Sequence, residues 1–331
     1  MGLYRCNKCG YLAEVAASDV GSSSNCPRCG HANTAYDTVF FVGKLLERYF
    51  ALRTTHAQGN SEAADNGKAP AAPASPPKLE TLNIYNTALI ATDLQHGPLN
   101  EWFGKRRIRI QPNLEAVDTT GFFDEVALEI GNNYELFKPL LDQVRFAQAK
   151  SHWGIKVELG KYKEADNLAI VTFCRQLHEY SFFSRYIYQK GEKTIRLGIQ
   201  ESVKIQRFFN GEWLEWFALM QVLEICKERH AELSCARNLS ITFANEEQNE
   251  LDVFFLLNGG EPVCIECKSG EFRESIDKYV CLKKKLGLDK AHFILCATDL
   301  TDEQARGLSS MYGLTFVNEQ GLAPHLQGLL G

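Results

Sequence analysis

Residues 249–270 read NELDVFFLLNGGEPVCIECKSG, and the order of elements around this stretch decides the fold. Asn258-Gly259-Gly260 supplies the positive φ angles of a tight hairpin, so the segment reads as two β-strands joined by a turn. Successive side chains of a strand alternate faces. Glu266 and Lys268 therefore share one face of the second strand, while Ile265 and Cys267 point to the other. Glu250, Asp252 and Phe254 share a face of the first strand. That face continues to Leu256 and the opposite one carries Leu251, Val253 and Phe255, which leaves Asp252 in the middle of a strand apolar on both sides. Such a strand is usually covered on both faces. A carboxylate buried there is tolerated when it is paired or bound to a metal.

Outward from this hairpin, the pattern predicts a helix over 212–228, strands over 238–243, 250–257 and 262–268, a helix over 273–286, a strand over 292–297, a helix over 302–311 and a strand over 314–317. One helix, three strands, then alternating helix and strand give an α/β class with a mixed sheet flanked by helices. In the first helix, Glu215 aligns with Leu219, Val222 and Cys226 on the apolar stripe, so a third acid is aimed at the sheet. A lone E-x-K on a wet strand face is ordinary, but three acids and a lysine converging on one sheet suit phosphodiester hydrolysis. Asp252 and Glu266 offer hard oxygen ligands to Mg²⁺ or Mn²⁺, the backbone carbonyl of Cys267 adds another, and Glu215 anchors a second ion or a ligand water. Lys268 is placed to orient the attacking water or help deprotonate it, and to offset charge in the transition state.

Helix-borne Glu215, then Asp252, then Glu266-Cys267-Lys268, in the order helix, strand, strand, strand, helix, strand, resembles the PD-(D/E)XK nuclease superfamily. The strings GEWLEWF, NELDVFFL and CIECKSG further resemble the nuclease half of the CARF-linked ancillary nucleases of type III CRISPR systems, over about residues 205–320. The resemblance implies a restriction-endonuclease-like fold, a Mg²⁺- or Mn²⁺-dependent endonuclease and a role in antiviral defence or repair, with DNA the favoured substrate and RNA the alternative; in-line attack of water with departure of the 3′ oxygen predicts 5′-phosphate and 3′-hydroxyl ends. Those nucleases carry an N-terminal Rossmann-like sensor for cyclic oligoadenylate. This chain shows no such alternation upstream, so ligand activation is not carried over.

Upstream, Cys6-x-x-Cys9 and Cys26-x-x-Cys29 are each followed by glycine and separated by 16 residues, the spacing of a zinc ribbon in which four thiolates hold one structural Zn²⁺. Residues 59–78 are Ala, Pro, Gly and Ser with almost no large apolar side chain, a flexible linker. The division expected is a zinc ribbon over 1–58, the linker over 59–78, an α+β middle region over 79–205 and the nuclease domain over 206–331. In the middle region, helices near 133–150 and 164–179 precede a hairpin around Gln189–Lys193, an order that permits a winged helix facing nucleic acid or a plain α+β spacer. Arg106, Arg107 and Arg109 form the densest basic run, and their alternation with Ile108 and Ile110 predicts an edge strand with a basic face. These arginines, with Lys278 on the helix after the catalytic strand, are the candidate nucleic-acid contacts.

A net charge of −5 and a pI near 6.0 mean that a DNA or RNA partner must be met by such a local patch. No apolar run approaches the ~18 residues of a membrane span, and the four paired cysteines fit a reducing compartment, so a cytoplasmic protein without a membrane partner is expected. A homodimer is left open. Cys174, Cys226, Cys235, Cys264, Cys267, Cys281 and Cys296 fall mostly at apolar positions and read as buried, inert thiols, and His152 and His178 stand alone. The competing classes are a non-catalytic nucleic-acid-binding protein on a nuclease-like fold and a zinc-ribbon adaptor.

Overall fold

Of the 331 residues, the computed structural model describes residues 2–6, 11–38, 87–113, 116–118, 120–258 and 260–329. The expected linker and Cys9 lie outside the described residues. The N-terminal strands are β1 (Gly2–Arg5), β2 (Leu12–Val15), β3 (Ser23–Asn25), β4 (Ala32–Thr34) and β5 (Tyr36–Asp37), in antiparallel sheets ordered β2-β1-β5 and β3-β4. Then come α1 (Asp93–Gly104), β6 (Arg109–Gln111) and α2 (Phe122–Asn132). They are followed by α3 (Tyr134–Ala149), β7 (Gly154–Glu158), α4 (Glu164–Glu179), β8 (Phe183–Gln189), β9 (Thr194–Ile199) and α5 (Val203–Arg207). The last part holds α6 (Trp213–Glu228), β10 (Leu233–Thr242), β11 (Gln248–Leu257), β12 (Glu261–Lys268), α7 (Ile276–Leu286), β13 (Phe293–Ala297), α8 (Asp302–Tyr312), β14 (Thr315–Val317) and α9 (Glu319–Leu329).

The chain forms two compact units, one from residues 1–68 and 133–210, the other from 69–132 and 211–331. In the first, α3 and α4 flank a three-stranded antiparallel sheet ordered β7-β9-β8. Both helices and the hairpin follow the sequence pattern. Strand β7 does not announce itself, because GIKVE is short, starts on glycine and is mostly half-buried, with only Val157 fully buried.

The second unit is built on a six-stranded mixed sheet ordered β14-β13-β12-β11-β10-β6. The pairs β6–β10, β10–β11 and β11–β12 are antiparallel, while β12–β13 and β13–β14 are parallel. Parallel neighbours need crossovers, and α7 and α8 supply them. One face carries a core of Leu99, Trp102 and Phe103 from α1 and Tyr279, Leu282 and Leu286 from α7, closed over Phe254, Cys264 and Leu295. α6 packs against β10, β11 and β12, and α2 and α9 pack against α6. The sulfur of Cys267 lies 3.7 Å from the Leu214 carbonyl oxygen of α6. Since Glu266 and Lys268 alternate with Cys267, α6 covers the face opposite to theirs.

The boundary expected at 205/206 differs from this grouping. Residues 109–111 pair with β10 as the edge strand, through Arg109–Thr242 and Gln111–Ser240, so the sheet draws one strand from the middle region. The reason is apolar burial: Leu99 and Phe103 of α1 are fully buried in the core of the second unit. α1 and α9 were not legible because each contains proline and glycine, which read as breakers, although Thr92 caps α1 by accepting from the Gln95 amide.

Candidate active site

The site starts from the pairing of β11 with β12. Val253 pairs with Ile265, which sets Asp252 beside Glu266. The Cys267 amide donates to Asp252 Oδ2 at 2.7 Å, and the Asp252 backbone favours the charged form of Glu266. Glu266 is 2% exposed. Lys268 Nζ stands 3.9 Å from Asp252 Oδ2. From α7, the Tyr279 ring lies under this lysine, 5.9 Å from Nζ, and the ammonium of Lys278 sits at the same distance from that ring.

Glu215 reaches the group from the first turn of α6. Gly211, just ahead of the helix, has φ 140°, and a Cβ there would stand 2.6 Å from Ser269 Oγ. Glycine therefore lets the start of α6 close onto the loop after Lys268. Two residues that the sequence pattern did not single out hold Glu215. Arg237 donates to its Oε2 at 2.9 Å and to the Ala116 carbonyl at 3.1 Å, and its guanidinium lies 3.8 Å from the centre of the Trp216 ring. Asn238 donates to Glu215 Oε2 at 2.8 Å and to Glu250 Oε1 at 3.0 Å. Asn238 sits at φ 50° inside β10. The left-handed backbone turns its side chain to the acids instead of leaving it in the alternation of the strand. An R-N pair inside an otherwise apolar run was the available signal.

The electrostatics follow from burial. Burial pushes the Glu215 carboxyl up to about 7 and the Asp252 charge adds to this, while Arg237 and Asn238 pull the other way without offsetting it. Burial also raises Asp252, against the opposing pull of Lys268 and the Cys267 amide. Glu266 rises well above the carboxylate range, first by burial and then by the Asp252 charge. Burial works against the ammonium of Lys268, but Asp252, Tyr279 and Glu266 outweigh it and raise its pKa. Buried carboxylates short of neutralising charge are a hard-oxygen set that a divalent cation would complete.

The basic candidates are more dispersed. Arg106 lies over Trp102, 3.7 Å from the ring centre, and donates to the Trp102 carbonyl at 3.1 Å. Arg109 pairs with Glu246 at 2.5 Å. Arg107 is exposed at φ 58°, in the turn before β6 rather than in the strand. Lys278 is exposed and its charge reaches Asp252 and Glu266. Its neighbours are committed elsewhere: Lys283 donates to the Gly313 carbonyl, and Lys285 pairs with Glu247.

In the first unit, the sulfurs of Cys6, Cys26 and Cys29 lie within 4.8 Å of one another, a group that could hold a metal ion. The Cys26 amide donates to the His31 carbonyl, and Gly30, at φ 72°, donates back to the Cys26 carbonyl, closing the second C-x-x-C as a knuckle. Of the scattered seven cysteines only Cys281 is exposed. No helix among the described residues is long and apolar enough to cross a membrane.

No family model and no curated protein matches the chain. Solved structures similar to it include protein VC1899 from Vibrio cholerae, at 21% identity and a TM-score of 0.48. Another is Can2 from Sulfobacillus thermosulfidooxidans in complex with cyclic tetra-adenylate, at 14% identity and a TM-score of 0.49. Each match covers 70% of this chain and 60% of the other, so the chain spans about 60% of the length of both structures.

Proposed function

We propose that the chain is a metal-dependent nuclease of the PD-(D/E)XK type that hydrolyses phosphodiester bonds in nucleic acid. The observation that carries this reading is buried Glu266 beside half-buried Asp252, with Lys268 at 3.9 Å and Glu215 behind them. Asp252 and Glu266 would hold Mg²⁺ or Mn²⁺, with the Cys267 carbonyl as a further ligand and Glu215 reaching an outer water or second ion. The bound ion supplies Lewis acidity and an acidified water. Lys268, beside Asp252, would orient the attacking water or help deprotonate it and face the negative charge that develops on phosphorus. Arg237 and Asn238 fix the Glu215 carboxylate so that it does not swing away from Asp252. The three clustered cysteines, with Cys9, would hold a structural zinc. A place in antiviral defence rests on the sequence resemblance alone.

The test is cleavage of labelled DNA and RNA with and without Mn²⁺ by the wild type and by Asp252→Ala, Glu266→Ala and Lys268→Ala. Each variant is expected to stay folded and lose cleavage. The two acid variants should also lose the rise in melting temperature on adding Mn²⁺, whereas the lysine variant should keep it. Cleavage by Asp252→Ala at the wild-type rate would remove this site from the chemistry.

A further inference from the structure

A cleft of about 620 Å³ opens in the first unit, lined by Gln148 at the end of α3, by His152 and Trp153 after it, by Arg185 and Gly198 on the hairpin, and by Gln206 among others. Its volume lies within the ~300–1,000 Å³ of small-ligand sites. The feature that marks it is Trp153. Its side chain is 79% exposed, whereas Trp102, Trp213 and Trp216 are buried. Leaving an indole in water forfeits a large apolar burial, so an exposed tryptophan at the mouth of a cleft points to a ligand face. It is not alone: Phe146 is 58% exposed, and its ring meets the edge of His152 at 5.7 Å. Ser151 at φ 52° turns the chain out of α3 and presents His152 and Trp153 at the start of β7.

The strand register supplies the charge. Gly154 pairs with Gly198, and Gly198 with Arg185; the next row is Lys156, Arg196 and Ile187. Side chains in these rows share the face opposite to buried Val157, Ile195 and Leu197. A Cβ on Gly198 would meet Ser184 Oγ at 2.5 Å and Arg185 Cβ at 3.0 Å, so the glycine lets the arginine lean across the sheet beside Trp153. The result is an exposed aromatic at one end of a sheet face that carries Arg185, Lys156 and Arg196, the last two partnered by Glu158 and Gln189, with Gln148, Gln200 and Gln206 lining the cleft beside one carboxylate, Glu201.

We propose that this cleft binds one or two nucleotides of a single-stranded nucleic acid, with a base stacked on Trp153, its edge read by the glutamine amides, and the adjoining phosphates held along Arg185, Arg196 and Lys156. A duplex has its base faces covered by neighbouring bases and cannot offer one to an indole, whereas a single strand can. The choice of a nucleic acid partner rests on the nuclease reading, but the binding itself does not need cleavage.

The experiment titrates the full-length, zinc-loaded protein, without added Mg²⁺ or Mn²⁺, with fluorescein-labelled single-stranded DNA and RNA and with the same sequence as duplex. Anisotropy reports binding and tryptophan fluorescence reports stacking. The single strand is expected to bind and to quench the emission. Trp153→Ala should weaken binding by about tenfold or more, as loss of a base stack does, while Trp153→Phe keeps most of it. Arg185→Glu should weaken binding and flatten its salt dependence. Trp153 is exposed, so both tryptophan variants should melt as the wild type does. Wild-type affinity of Trp153→Ala, preference for duplex without quenching, or a mononucleotide binding as tightly as the strand would each overturn the proposal. Binding as expected with no cleavage by the wild type would sink the nuclease reading and leave this site standing.

Discussion

Arg237 shows how much of the candidate site is decided by residues that touch no substrate. It is 5% exposed, and its guanidinium serves the Glu215 carboxylate, the Ala116 carbonyl and the face of Trp216 at once. Removing one partner of a buried pair strands the other charge, at a cost of about 3–5 kcal/mol. Arg237→Met should therefore lower the melting temperature markedly and weaken Mn²⁺ binding measured by calorimetry. Arg237→Lys should fail nearly as badly, because an ammonium cannot make the planar stack and the forked contacts together. If Arg237→Lys retained wild-type stability and metal affinity, the guanidinium would have no positioning role. Asn238 separates backbone from side chain. Asn238→Gly accepts φ 50° without strain but loses both amide contacts, at roughly 1 kcal/mol each. Cleavage should fall by about tenfold and the melting temperature should drop modestly; an unchanged rate would mean that Glu215 needs no orienting.

At the scale of elements, α6 depends on one glycine. Gly211→Ala would force an L-residue to φ 140° and set a methyl 2.6 Å from Ser269 Oγ. Strain of this kind costs about 1–3 kcal/mol, so both stability and cleavage should drop. Adding Ser269→Gly should relieve the clash but not the dihedral, giving partial recovery. Full recovery would show that only the contact matters. The elements that were legible in the sequence are those with one dominant local signal: the β11–β12 hairpin through its Asn-Gly-Gly turn, and α4 and α7 through their apolar periods; strand alternation put Asp252, Glu266 and Lys268 forward as candidates, and the apolar stripe of α6 put Glu215 forward. What stayed illegible depends on distant partners. β6 is three residues whose strand character comes from pairing with β10. The left-handed Asn238 is selected by two acids, one 23 residues away on α6 and one 12 away on β11. Arg106 and Arg109 looked like a free basic patch because Trp102 and Glu246 are not predictable neighbours.

For the whole molecule, the second unit is discontinuous in sequence, and this predicts where it can be cut. A fragment starting at residue 206 would lack α1, whose Trp102 and Phe103 rings lie 5.2 and 4.7 Å from Phe254, and α2, whose Phe123 stacks on Trp216 at 5.8 Å. Losing several buried aromatic contacts at about 3–5 kcal/mol each exceeds the ~5–15 kcal/mol that holds a domain together. The fragment should be soluble only as a loosely packed state that binds hydrophobic dye, and a cooperative melt would contradict this. The site adds a pH dependence of definite sign. The folded pKa of Glu215, about 7, lies above its usual 4.5 because of burial. The folded state therefore holds this proton more tightly than the unfolded one, so the associated stability is present below about 4.5 and is lost as pH rises through about 7. Exposed acids such as Glu101 and Glu271, whose pKa values are lowered by their basic partners and backbone contacts, act in the opposite direction. The informative quantity is thus the wild type minus Glu215→Gln difference in melting temperature, measured without added divalent metal. It should turn against the wild type between pH 5 and pH 7.5, and Mg²⁺ should restore the wild type more at the upper end, where the carboxylates must be charged to bind it. A difference flat in pH would mean that Glu215 is already ionised in the folded protein, and that burial does not dominate at this site.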